Sequence, residues 1–223
     1  MMQLKIDSRS KAGSPIKVLC LGAHSDDIEI GCGGTILKLI EDQKSVAVSW
    51  VVFSAGGERS AEATRSAELV LRNVAEKKIL VNNFRDGFFP YQGGEIKELF
   101  ESIKREFEPD VIFTHYRDDR HQDHRIISDL TWNTFRDHFI LEYEIPKYDG
   151  DLGSPNLFVQ LDETTCRRKV QHILKAFQTQ KQKHWFTEDV FWSMLRLRGL
   201  ESAASGRFAE AYYSRKSAVT LTT

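Results

Sequence analysis

Two short apolar runs, Val18-Leu19-Cys20-Leu21 and Val111-Ile112-Phe113, are each followed by segments rich in His and Asp. Neither run alternates with polar residues. Each therefore predicts a strand buried on both faces, the form found in parallel sheets covered by helices. Past the first run lies His24-Ser25-Asp26-Asp27-Ile28-Glu29, and past the second lies His121-Gln122-Asp123-His124. Open α/β sheets bind ligands beyond the carboxyl ends of their strands, where strand order reverses. The two runs thus point to one fold and one site.

Strand and helix patterns alternate along most of the chain. Apolar spacing predicts strands over 17–23, 46–53, 79–81, 110–115 and 156–161, and helices over 36–41, 62–76, 95–106, 125–139 and 163–180. Residues 24–35, with glycines at 31, 33 and 34, read as a loop, as do 86–90 and 143–155; residues 181–223 read as helix, loop and a short extended piece. The fold class that follows is α/β, a doubly wound (Rossmann-like), mostly parallel sheet with helices on both faces. A length of 223 residues with 41% hydrophobic content fits a single domain over 17–223, behind a loose polar lead-in over 1–16.

A net charge of -1, with basic residues scattered among acidic ones, offers no footprint for nucleic acid. No window approaches the ~20 apolar residues of a membrane span. Cys20, Cys32 and Cys166 are odd in number and widely spaced, which argues against a disulfide framework and fits a reducing compartment. The polar stretch Met1–Lys17 lacks the apolar core of a signal peptide. The expected location is cytoplasmic.

The chemistry lies in the two His/Asp segments. A catalytic zinc takes three protein ligands and keeps a fourth position open for water. His24 and Asp27, three residues apart, can be aimed at one ion by a tight turn, and His124 can supply the third bond. Other divalent ions accept the same donors. Asp26 and His121 are then left over: Asp26 as general base for the attacking water, and His121, if protonated, to stabilise the oxyanion of an amide under attack. Asp119 and Asp123 are candidates to hold the imidazoles from behind. His115 could line the pocket or make a structural hydrogen bond. Cys32 reads as a small buried apolar residue. Gly31-Cys32-Gly33-Gly34 fails as a dinucleotide loop, since position 36 is Ile and two carboxylates lie upstream.

These segments resemble a known family. Ala23-His24-Ser25-Asp26-Asp27-Ile28-Glu29 is similar to the A-H-P-D-D-x-E signature of the PIG-L/LmbE-like zinc-dependent N-deacetylases, and Asp119-Arg120-His121-Gln122-Asp123-His124 to their D-x-H-x-D-H block. Arg65-Ser66-Ala67-Glu68, Phe84-Arg85-Asp86-Gly87, Arg198-Gly199 and Phe208-Ala209-Glu210-Ala211 resemble further elements. The resemblance implies metal ligands at His24, Asp27 and His124, a base at Asp26, oxyanion stabilisation by His121, and substrate contacts from Arg65 and Asp86. It implies removal of the acetyl group from an N-acetylated amino sugar, carried by a glycoside, a glycolipid precursor or a nucleotide. It also implies a homo-oligomer, trimer or hexamer. A metal-dependent hydratase or lyase on the same scaffold, or a non-catalytic sugar- or nucleotide-binding module, are the alternatives. Two departures stand out. Ser25 replaces the signature Pro. Ala176-Phe177-Gln178-Thr179-Gln180 lacks the His of the family's A-H-x-S-Q element.

Overall fold

A computed structural model describes residues 14–43 and 45–218. Most of the expected lead-in therefore lies outside the described residues. In chain order the elements are β1 (Ile16–His24), α1 (Asp27–Asp42), β2 (Val46–Ser54), α2 (Glu58–Val70), β3 (Glu76–Val81), α3 (Gly93–Glu106), β4 (Val111–His115), α4 (Gln122–Thr134), β5 (Phe139–Tyr143), β6 (Leu157–Leu161), α5 (Glu163–Ala176), α6 (Glu188–Glu201) and β7 (Phe208–Ser214). Among the described residues no helix is long and apolar enough to cross a membrane.

The strands form one seven-stranded sheet in the order β3-β2-β1-β4-β5-β7-β6. Strands β3, β2, β1, β4 and β5 are mutually parallel, and β7 runs against both of its neighbours. From β1 the chain winds outward through β2 and β3, then returns to lay β4 and β5 on the other side. Strand order thus reverses between β1 and β4, the position where such sheets bind ligands.

The alternation hidden inside β1 separates two cores. Val18 and Cys20 join the cluster with α1, α2, α5 and α6, including Ile28, Ala67, Val170 and Leu195. Leu19 and Leu21 join the other, with Ile96 and Phe100 of α3 and Ile127 of α4. Helices cover both faces, so the middle strands have no solvent-facing side to make polar.

Two local expectations are overturned. The stretch 24–35 is not a loop. Helix α1 begins at Asp27 and runs straight through the three glycines. Low helix propensity is outweighed here by close packing. A methyl group on Gly31 would overlap the Tyr143 ring, and one on Gly34 would press on Leu161 and the Glu210 carboxylate. The second error is the helix expected over 125–139. Helix α4 ends at Thr134, and Phe139–Tyr143 is strand β5. The helical spacing of α4 hid a five-residue apolar strand beyond a short turn.

Glu210 on β7 reaches into the middle of α1. Its carboxylate accepts the backbone N–H groups of Gly34 (2.8 Å) and Thr35 (2.6 Å), while Lys169 donates to the Ile30 carbonyl (2.6 Å) and to Glu210 (2.5 Å). The buried pair thereby holds one turn of the helix at both its donors and its acceptor.

The glycines of α1 make opposite predictions. Gly31→Ala is expected to destabilise by about 1–3 kcal/mol or more through overpacking. Gly33→Ala meets its nearest atoms at 3.8 Å, so it should be neutral or gain up to about 1 kcal/mol of helix propensity. Thermal unfolding checks both, at about 2–4 °C per kcal/mol for this size. A Gly31→Ala protein as stable as the parent would contradict the packing against Tyr143.

Candidate active site

β1 delivers His24 as its last residue, and α1 opens three residues later at Asp27. The Asp27 side chain turns back, accepting the His24 backbone N–H at 2.6 Å. β4 ends at His115, and a loop leads to α4, whose N-cap is His121. His124, in the first turn of α4, therefore faces the end of β1.

Three donor atoms meet. Nδ1 of His24 lies 3.2 Å from Nε2 of His124 and 3.4 Å from Oδ2 of Asp27, and the third edge, His124 to Asp27, is 3.6 Å. A tetrahedral zinc with bonds of about 2.0–2.1 Å has ligand–ligand edges of ~3.3–3.4 Å. The triangle is the size of one face of such a site. Its donors are nitrogen and carboxylate oxygen, which suit a divalent ion. Cys32 stays in the apolar core, bonded to the Ile28 carbonyl.

Each imidazole is held from behind. Nε2 of His24 lies 3.2 Å from Oδ1 of Asp86 and 3.3 Å from Oδ2 of Asp123; Nδ1 of His124 lies 2.9 Å from Oδ2 of Asp119. Carboxylates so placed fix ring orientation and tautomer. Asp123 also accepts the backbone N–H groups of Gly87 (2.6 Å) and Phe89 (3.1 Å), which clamps the Asp86 loop onto α4.

Burial sets the charges. Burial opposes the charged form of His24, but hydrogen bonds to Asp123 and Asp27 raise its pKa well above the usual histidine value. Burial would raise Asp27, but the charges of His124 and His115 hold it well below the carboxylate range. Asp26 is pushed up to about 7, by burial first and then by the Asp27 charge. Its side chain does not cap α1, and its Oδ2 is buried without a hydrogen-bond partner. His121 is lowered, by burial and by the neighbouring His24 charge. Its Nδ1 accepts the Asp123 backbone N–H. The structure thus favours a neutral His121 with Nε2–H as its donor, rather than the imidazolium considered from sequence. Ligand atoms of His24, His121 and His124 lie within 4.8 Å of one another, so His121 can reach whatever the triangle holds.

The remaining expected residues sort plainly. His115 is fully buried; its Nε2 lies 2.9 Å from the Ala23 backbone nitrogen and 3.2 Å from Oδ2 of Asp27, and its ring stacks beneath His124, 3.9 Å away, so it lines the donor triangle from below as well as bonding the backbone. Phe177, where the family has His, is buried in the core. Arg65 is exposed on α2 and has no hydrogen bond or ion pair among the described residues. Arg59, in the first turn of α2, reaches Asp86 (2.8 Å) and Ser25 (3.4 Å) instead. Six residues of helix rise separate the two arginines by ~9 Å. Lys147, which lies 2.8 Å from Asp119, is a contributor that sequence reading missed.

A family model described as PIG-L, GlcNAc-PI de-N-acetylase, matches residues 19–135. The chain belongs to the PIG-L family. It is 31% identical over 149 residues to the uncharacterized deacetylase YaiS of Escherichia coli, which covers 61% of this chain and 78% of that protein. Among solved structures it is similar to the N,N'-diacetylchitobiose deacetylase of Pyrococcus horikoshii, with TM-score 0.68 and 24% identity over 89% of this chain and 83% of that one. It is equally similar to the 4-carboxy-2-hydroxymuconate hydratase of Pseudomonas putida, with TM-score 0.69 and 18% identity over 93% and 99%. At these identities the two structures establish the fold alone, and the fold carries more than one reaction.

Asp119→Ala removes the acceptor behind His124. It is expected to weaken affinity for added zinc about 10–100-fold, measured by competition with a chelating dye; undiminished affinity would deny Asp119 that role.

Proposed function

We propose that this protein is a metal-dependent N-deacetylase that hydrolyses the acetamido group of an N-acetylated amino sugar. The observation that carries the reading is the donor triangle of His24, Asp27 and His124 beside a buried Asp26 oxygen with no partner. Membership of a family described as a de-N-acetylase supports it, as do the deacetylase names of YaiS and of the Pyrococcus enzyme. The hydratase reading has fold likeness behind it and would use the same donors, but the family description favours deacetylation.

His24, Asp27 and His124 would hold the metal, which we take to be zinc. When bound, zinc supplies Lewis acidity toward the acetamide carbonyl and acidifies an attacking water. The protein's own groups handle the protons. Asp26, with a pKa near neutrality, can accept the water's proton as oxygen attacks the carbonyl carbon, then return it to the departing nitrogen. The C–N bond breaks, and acetate and a free amine result. His121 donates from Nε2–H to the oxyanion, because its Nδ1 is already occupied by the helix N-terminus. Asp86 and Arg59, paired with each other at the edge of the site, are positioned to meet ring hydroxyls. The substrate class we favour is an N-acetylglucosamine-type glycoside, glycolipid precursor or nucleotide-linked sugar. Three buried free cysteines are consistent with work in the cytoplasm.

The direct test is acetate release from a panel of N-acetylated sugars. Release should stop with a chelator and return with zinc. A zinc-loaded protein that frees no acetate but hydrates an unsaturated acid would replace this reading with the hydratase one. Within an active preparation, Asp26→Ala should keep its zinc and lose about 10²–10⁴-fold of turnover. Full turnover in that variant would remove Asp26 from the mechanism.

A further inference from the structure

The connection between β5 and β6, residues 144–156, is tied to the site by one lysine. Lys147 has only 9% of its side chain exposed, and its Nζ lies 2.8 Å from Oδ2 of Asp119 and 2.5 Å from Oδ2 of Asp151. The same Asp119 oxygen accepts from Nδ1 of His124 at 2.9 Å, while Oδ1 accepts the His121 N–H at 2.7 Å. Oδ2 of Asp151 accepts the Arg120 N–H at 2.7 Å. Two carboxylates thus fix the backbone at 120 and 121 and the imidazole of His124, and Lys147 is the cation they share. The base of the loop is fastened separately: Glu144 accepts the Gly153 N–H (2.9 Å) and the Tyr213 hydroxyl (2.9 Å) and pairs with Arg198 (2.7 Å). Between these anchors Tyr148 and Leu152 stand exposed.

We propose that Lys147 is a positioning residue that holds Asp119 against His124 and so couples the order of loop 144–153 to metal binding. The proposal rests on reading His124 as a metal ligand. Asp119 and Asp151 have 2% and 6% of their side chains exposed. Without their common cation, two nearly buried like charges repel in a medium that screens poorly. They separate, and His124 loses the acceptor that sets its ring. The coupling runs both ways, because linkage is reciprocal. A metal that fixes His124 fixes Asp119, then Lys147, then the loop.

The test uses the full chain freed of metal and titrated with zinc against a competing chromophoric chelator. Lys147→Gln should bind zinc about 10–100-fold more weakly, the scale for losing an outer partner of a metal ligand, and Lys147→Arg should recover most of that loss. In the wild-type protein, zinc should slow amide hydrogen exchange across residues 145–153. Wild-type or tighter zinc affinity in folded Lys147→Gln overturns the proposal. If that variant does not fold, the exchange experiment decides: slowing supports the coupling, and unchanged exchange overturns it. A wild-type protein that binds no zinc overturns the ligand reading and the proposal together, an outcome distinct from failure at Lys147 alone.

Discussion

Burial of carboxylates where β1 and β4 end is the constraint on which the rest of the structure depends. Asp26, Asp27, Asp119 and Asp123 are all buried. A buried charge without partners costs several kcal/mol, on the order of the net stability of a domain. The surrounding structure supplies those partners. Asp123 takes two backbone N–H groups and an imidazole, Asp119 takes a lysine, an imidazole and a backbone N–H, and Asp27 sits among three imidazoles. Loops that look irregular in sequence acquire definite shapes because they must bring these groups. Asp26 and Glu29, three residues apart at the start of α1, each keep a buried oxygen without a partner. The residue we assign a proton-transfer role is thus one of two whose charge the fold leaves poorly compensated.

That arrangement depends on backbone direction more than on side-chain reach. Parallel strands put β1 and β4 side by side with both carboxyl ends pointing the same way. Each strand is then followed within a few residues by a helix N-terminus, which favours negative charge nearby. Asp27 and Asp123 both occupy first turns. The same geometry lets His121 cap α4 through one ring nitrogen while the other stays available, so structural and chemical duties divide between two atoms of one ring.

Much of the fold was legible in the sequence, for a local reason: strands buried on both faces read as unbroken apolar runs, and Val18–Leu21 and Val111–Phe113 are such runs. The proximity of His24, Asp27 and His124, our proposed donors, was legible because each stands within a dozen residues of a strand end. What escaped depended on distant partners. Helix α1 looked like a loop because three glycines argue against a helix until Tyr143, Leu161 and Glu210 are known to press against it. β5 was absorbed into the preceding helix because nothing in five residues announces a neighbour across the sheet. Arg59 and Lys147 find their carboxylates 27 and 28 residues away. No local pattern marks such a pair.

Glu210 has a consequence for the order in which the molecule is completed. Every proposed metal donor, from His24 to His124, lies within the segment 19–135 that defines the family match. The carboxylate that grips Gly34 follows it by 176 residues, and its partner Lys169 also lies outside that segment. Synthesis proceeds from the N-terminus, at ~5–20 residues per second, so all the donors leave the ribosome well before the strand that secures the helix beside them. The boundary drawn by sequence similarity is not a boundary of folding. The chemistry is encoded early in the chain, and its geometry is finished by the last of the described strands to emerge.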